Sequence, residues 1–383
     1  MKPSLLRYLS AASLSLLITP TVFAGGIALG DLVVVQVGTG TGALAAPATA
    51  SFLDEYTISG GSQVQQITLP TSASGLNDAL TLTGNSTSEG FLSLSADGNY
   101  LTLGGYNQTV GGATSGSTAA VVNRVIGLVS ISSGAVDTTT AINSATTTGN
   151  IRSAATVNGT SFYEANSSSG VGYVTFGAAS AATQLSSAPT NVRVVKTAGG
   201  QLYTSSASGA FLGVATIGTG LPTTSGQTTT ALPGFPTTGT HSSYDYWFKD
   251  ANTLYVADDG TAANGGGIQK WTFNGTTWSL QYTLLGSAST TVTGVRGLTG
   301  FVDGGGNVEL FGTTAVASGN GNALIEVTDT GATAADTVLE TAGLNTVYRG
   351  VAFVPSAIPE PSTLALLGLG CAMGARFFGR RKK

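Results

Sequence analysis

Residues 295–314 read VRGLTGFVDGGGNVELFGTT: an apolar run, a turn of aspartate, glycine and asparagine, and a second apolar run. Asp, Asn and Gly favour turns because they tolerate left-handed backbone or bond their own main chain, so the stretch predicts a β-hairpin. The same unit recurs at 90–107 (GFLSLSADGNYLTLGGYN), 151–169 (IRSAATVNGTSFYEANSSS), 191–208 (NVRVVKTAGGQLYTSSAS) and 244–259 (YDYWFKDANTLYVADD). One or two weaker strands follow each unit. The five starts lie 61, 40, 53 and 51 residues apart, and a period of that size with about four short strands per unit predicts a β-propeller.

The ends of the chain complete the count. Tyr348-Arg349-Gly350-Val351-Ala352-Phe353 reads as a first strand with no second strand after it. Conversely, 31–37 (DLVVVQV), 51–59 (SFLDEYTIS) and 64–69 (VQQITL) lack a first strand before them. Pairing the two ends supplies a sixth blade and removes an open sheet edge. The expectation is therefore an all-β chain, a single propeller of six blades over residues 25–357 closed by N- and C-terminal strands. Seven blades, a pair of β-sandwiches or a β-helix are the alternatives.

Each end outside that body reads as a targeting segment. Lys2 and Arg7 precede a mostly apolar stretch over 5–18, and Val22-Phe23-Ala24 sets small residues two apart ahead of Gly25. That is a secretory signal over 1–24, with cleavage expected after Ala24. At the other end Pro359-Glu360-Pro361 precedes the apolar run LALLGLGCAMGA (364–375) and the terminal Arg380-Arg381-Lys382-Lys383. The run is short for a membrane span of about 20 residues. Extended to Phe378, with Arg376 snorkelling, it makes a short transmembrane segment whose basic end stays cytoplasmic. Motif, apolar run and basic end, over 358–383, resemble the PEP-CTERM sorting signal. The resemblance implies an exosortase-type sorting enzyme as partner, anchoring in the inner membrane through this tail before processing, and a final place at the cell surface or outside the cell.

Composition agrees with an exported β protein. Charged residues are 9% of the chain, against about 25% in an average soluble protein. The body over 25–357 carries eight Lys and Arg against eighteen Asp and Glu, a formal charge of −10, which argues against nucleic acid as a partner. The single cysteine, Cys371, lies in the tail, so the body has neither disulfide nor thiol chemistry.

Most local signals of chemistry have a plainer reading. GTGTGA at 38–43 fits a dinucleotide fingerprint, but a helix must follow it, and Pro47 and a strand pattern follow instead. His241 is the only histidine; it has no G-x-S-x-G nucleophile motif to serve. Asp258-Asp259-Gly260 and Asp303-Gly304-Gly305-Gly306-Asn307 could offer oxygen ligands to calcium, yet Asp and Asn are also ordinary turn residues. No cofactor is expected, with calcium at Asp258, Asp259 or Asp303 the one candidate. Trp247, Trp271 and Trp278 could form a sugar-stacking face or simply join the core.

One pattern is less ordinary. Aligning the first strands puts arginine at nearly the same place four times: Arg152, Arg193, Arg296 and Arg349. Arg124 is the only other arginine of the body. If first strands line a central channel, these side chains form a partial ring near one opening, with Glu89 and Asp245 as possible counter-charges in the other two units. Such a ring either ties blades together through neighbouring carbonyls or grips an anion such as the acid group of a glycan.

Function is then expected to be binding or structural, at the cell surface or in the extracellular matrix, with extracellular polysaccharide as a possible partner. The alternative is an extracellular propeller enzyme acting on polysaccharide or a lactone. A remote alternative, an ice or mineral binder, rests on the threonine-rich stretches 138–140 and 146–148.

Overall fold

The run Leu32–Val37 (LVVVQV) does not alternate with polar residues, because the folded chain covers both faces of this strand. In the computed structural model, which describes residues 25–114, 116–143, 149–284, 294–316 and 321–356, the strand sits inside one blade of a closed ring. Leu32 and Val34 pack with Phe311 and Leu324 of the preceding blade, while Val33, Val35 and Val37 pack with Leu101, Leu103 and Val125 of the following one.

The ring has six blades. Blade 1 pairs Val347–Phe353 with Leu32–Val37, Ser51–Tyr56 and Gln63–Thr68. Blade 2 contains Ser93–Leu94, Tyr100–Tyr106, Arg124–Ser130 and Val136–Ile142. Blade 3 runs Ile151–Thr156, Ser161–Asn166, Gly170–Thr175 and Thr183–Ser186. Blade 4 runs Val195–Ala198, Gln201–Ser208, Phe211–Ile217 and Thr229–Ala231. Blade 5 follows with Ser243–Asp250, Thr253–Asp258, Gly267–Phe273 and Trp278–Leu284, and blade 6 with Val295–Val302, Val308–Thr314, Ala323–Thr328 and Thr337–Thr341. In each blade the first of these strands is innermost. Ala179–Ser180, on the way out of blade 3, adds a parallel fifth strand to blade 2 through Ala141 and Ile142.

Closure is the antiparallel pairing of the chain's two ends, with Leu32 opposite Phe353, Val34 opposite Val351 and Val37 opposite Val347. The hydroxyls of Tyr56 and Tyr348 share a buried hydrogen bond of 2.7 Å in the same blade. The core is not one mass but six clusters, each spanning one interface between adjacent blades. Outer strands such as Gln63–Thr68 and Thr337–Thr341 face solvent on most positions, which is why they read as the weaker strands of each unit.

Near the axis the inner strands come so close that side chains are excluded. A Cβ on Gly350 would lie 2.2 Å from the backbone nitrogen of Leu92, and one on Gly297 would lie 2.5 Å from the carbonyl oxygen of Arg349. These glycines directly follow Arg349 and Arg296, so the small residue lets the strands meet where the arginine turns aside. Among the described residues no helix is long and apolar enough to cross a membrane. The expected signal, its Ala24 cleavage point, and the sorting tail with Pro359, Glu360 and Pro361 and the membrane segment all lie outside the described residues.

Two outcomes follow from this packing. Gly350→Ala should lower unfolding free energy by about 1–3 kcal/mol, the usual cost of overpacking, and a denaturant midpoint equal to the parent's would refute the close approach at the axis. Glu164, on the second strand of blade 3, is buried with its Oε2 unpartnered, and burial raises its carboxyl from 4.5 to about 8 against the opposing pull of Arg124. The folded chain therefore binds the extra proton between those values, and stability falls as pH rises from about 4.5 through about 8, by up to about 1.4 kcal/mol per unit. Glu164→Gln should flatten that slope in urea melts at pH 5, 7 and 9; a slope identical to the parent's would disprove it.

Candidate functional site

The six inner strands run the same way through the ring, so their two ends build two different channel mouths. At the strand starts stand Arg152, Arg193, Arg296 and Arg349; at the strand ends stand Trp247, Phe248, Phe301 and Phe353.

The four arginines gather around Tyr244. Arg193 lies over its ring at 3.7 Å from guanidinium carbon to centroid, and Arg296 lies at 5.7 Å. Each arginine also reaches towards a neighbouring blade. Arg349 Nη2 donates to the carbonyls of Thr83 and Gly84, both at 2.9 Å, ahead of blade 2. Arg152 Nη1 donates to Asn191 Oδ1 at 2.6 Å and to the Val192 carbonyl at 2.8 Å, ahead of blade 4. Arg296 Nε pairs with Asp259 of the blade-5 side at 3.0 Å, and its Nη1 donates to the Val316 carbonyl. Burial pulls Arg152 and Arg349 down to about 10, with the charge of Arg193 adding to the effect at Arg152; both stay protonated at neutral pH. Glu89 occupies the blade-2 position of the ring. It is fully buried and accepts from Thr83 N (2.9 Å), Tyr106 Oη (2.8 Å), Thr83 Oγ1 and Asn150 Nδ2. The space left beside Glu89, Phe91, Arg296 and Arg349 is about 20 Å³.

The other mouth is an aromatic funnel of about 360 Å³. Phe301 and Phe353 stack at 4.3 Å with 15° between their planes, and Trp247 and Phe248 line the facing side. At its floor Lys196 Nζ pairs with Asp245 at 2.5 Å and donates to the Tyr246 carbonyl at 3.1 Å. Asp245 is fully buried and also accepts from the backbone of Tyr246 and Leu298. The Tyr246 hydroxyl, in contrast, has no hydrogen-bond partner, and its side chain is buried in the cluster between blades 4 and 5. Burial and the charge of Asp245 raise its titration well above the ordinary tyrosine value, so it stays a neutral donor. The lining contains one charged side chain, Lys196, and no carboxylate, histidine or thiol.

The remaining sequence candidates are dispersed. Trp271 stacks on Phe235 at 4.1 Å and Trp278 packs against Phe273, both buried in the cluster between blades 4 and 5, while only Trp247 reaches the funnel. Asp258 is buried and accepts from the backbone of Ser242 and Gly260. Asp259 is engaged by Arg296. Asp303 is exposed and caps its own turn through the backbone of Gly305 and Asn307, which holds its carboxyl below the usual range. Among the described residues no three His, Cys, Asp or Glu side chains are grouped as a metal site. The 38–43 segment is a loop with no helix after it. Lys196, Phe301 and Phe353 escaped the sequence reading; a place at the end of the first strand could have found Phe301 and Phe353, while Lys196 stands second in Val195–Ala198.

Residues 357–383 match the PEP-CTERM protein-sorting motif. The motif implies export, sorting to the cell surface and processing by an exosortase. No curated protein matches the chain in sequence. Solved structures of similar shape include a candidate 6-phosphogluconolactonase from Bacteroides uniformis, 14% identical over 80% of this chain and 81% of that one, with a TM-score of 0.44. They also include the soluble aldose sugar dehydrogenase of Escherichia coli (12% identity, 76% and 99% covered, TM-score 0.43) and the WD40 propeller domain of Doa1 (9%, 80% and 89%, 0.38). The blade count rests on the strand pairing itself, and these likenesses carry no activity across. The chain is a six-blade β-propeller that ends in a PEP-CTERM sorting motif.

Proposed function

We propose that this exported propeller is a binding protein of the cell surface or extracellular matrix, and that its aromatic funnel seats a sugar ring of an extracellular polysaccharide. The observation that carries this reading is the funnel's make-up: aromatic walls at Trp247, Phe248, Phe301 and Phe353 over a floor that holds Lys196, with Thr197 and Thr299 also in the lining. A pyranose has an apolar face that stacks on such rings and hydroxyls that need partners; about 360 Å³ lies in the size range of small-molecule sites. A carbohydrate-cleaving site needs a carboxylate pair flanking the bond, whereas the only carboxylate at the floor, Asp245, is held by Lys196 and two backbone N–H groups. That favours binding over turnover. In this reading residues 1–24 are removed on export, the 358–383 tail anchors the chain in the inner membrane until it is processed, and residues 25–357 are delivered as the propeller.

The test is a glycan array on the full chain, paired with a screen for hydrolysis of polysaccharides and lactones. Binding of a neutral glycan should fall at least tenfold, or about 1.4 kcal/mol, in Trp247→Ala and in Phe301→Ala, since each removes apolar area that the sugar's apolar face would cover. Turnover without stable binding would replace this reading with the enzymatic one. Sorting is tested separately. Removing residues 359–383 should release the protein into the periplasm or medium, and retention at the surface in normal amounts would show that the tail is not its address.

A further inference from the structure

The arginine mouth carries a charge imbalance that the funnel does not. Arg152, Arg193, Arg296 and Arg349 converge there, and among the described residues only Arg296 has a carboxylate within ion-pair distance, Asp259. Glu89 is the one other carboxylate in the ring. Four guanidinium groups thus face two carboxylates. The internal residues outside the description, 115, 144–148, 285–293 and 317–320, contain no Asp or Glu, so they cannot supply the missing charge. Buried charges persist only when paired or hydrogen-bonded.

The hydrogen bonds are incomplete in the same place. Arg152 Nε, Arg349 Nε and Arg193 Nη1 are buried nitrogens without a partner. Arg349 is 5% exposed, so its spare donor has little access to bulk water. The space beside Arg296 and Arg349 measures about 20 Å³, where one water-sized occupant needs about 10–15 Å³. A sugar acid does not fit; a single small ion does.

We propose that the arginine mouth binds one halide-sized anion, chloride being the abundant case, which supplies the missing negative charge and pins the inner strands of blades 1 and 6 together. This site is independent of the glycan reading of the funnel. The anion accepts from guanidinium donors of Arg296 and Arg349, which tie blades 6 and 1, and its field also steadies Arg193 across the ring of Tyr244.

The experiment is thermal unfolding of the detergent-solubilised full chain in sodium chloride, sodium bromide and sodium gluconate at matched ionic strength. Gluconate is too large for the space. Chloride and bromide should raise Tm by about 3 °C over gluconate at saturation, as expected for a ligand bound only to the folded state. Arg349→Met, which removes one of the two donors, should lose most of that shift. Crystals grown in bromide should show one anomalous peak within 4 Å of the guanidinium nitrogens of Arg296 or Arg349. Equal Tm in all three salts, or a bromide-grown crystal with no peak there, overturns the proposal. The bromide map decides the matter even if the variant fails to fold.

Discussion

No blade of this protein can fold as an independent unit, because its apolar residues are divided between two partners. Alternate residues of one strand belong to different interfaces: Leu32 and Val34 to the contact with blade 6, Val33 and Val35 to the contact with blade 2. The same division holds around the ring, where Ala154 and Phe162 pack with blade 2 while Ala155 and Tyr163 pack with blade 4. Period-two side-chain geometry turns each sheet into a two-sided wedge whose stability is shared with its neighbours. The closing pair between Leu32–Val37 and Val347–Phe353 is therefore the constraint on which the rest depends. Without it, blade 1 would lose its inner strand, and the clusters on both its sides would open together.

That arrangement also decides where charge sits. Of the eight cations in the body, only Lys249 is an exposed residue; Arg124 and Arg349 are buried and the other five are partly covered. Cations are instead spent where backbone groups from different blades converge. Arg124 donates to the carbonyls of Val122, Ser117 and Gly149, and Lys270 joins Asp329 of the neighbouring blade at 2.8 Å, with Tyr255 and Tyr282 on the same carboxylate. Arginine suits the axis because its planar fork can reach two acceptors at once.

How much of this was legible depended on whether the signal was local. Strand–turn–strand units were visible because a hairpin is written in consecutive residues, and the closure followed because Tyr348–Phe353 and 31–69 were each incomplete alone. The arginine register was visible for the same reason: each one sits at the start of its unit. The funnel was not. Lys196, Trp247, Phe301 and Phe353 come from four different blades, and nothing in the neighbourhood of any one of them marks it as a wall. The tryptophans divide between the two readings the sequence left open: Trp271 and Trp278 join the core, and Trp247 lines the funnel. Trp271 and Trp278, on the third and fourth strands of blade 5, share one cluster, while Trp247, on the first, faces the other interface.

The fold and the sorting signal meet at one point, and the hydrogen bonds there keep them separable. Val354 donates to the Asp31 carbonyl at 2.9 Å and accepts from Gly30 N at 2.7 Å, so the last paired residue of the closing strand lies beside the first residues of the body. Pro355 follows; it has no N–H to extend the ladder, and it lines the rim of the aromatic funnel. The Pro-Glu-Pro motif begins only at Pro359. Cleavage at the motif would leave the pairing through Val354 whole, so the closing strand does not need the motif for its hydrogen bonds.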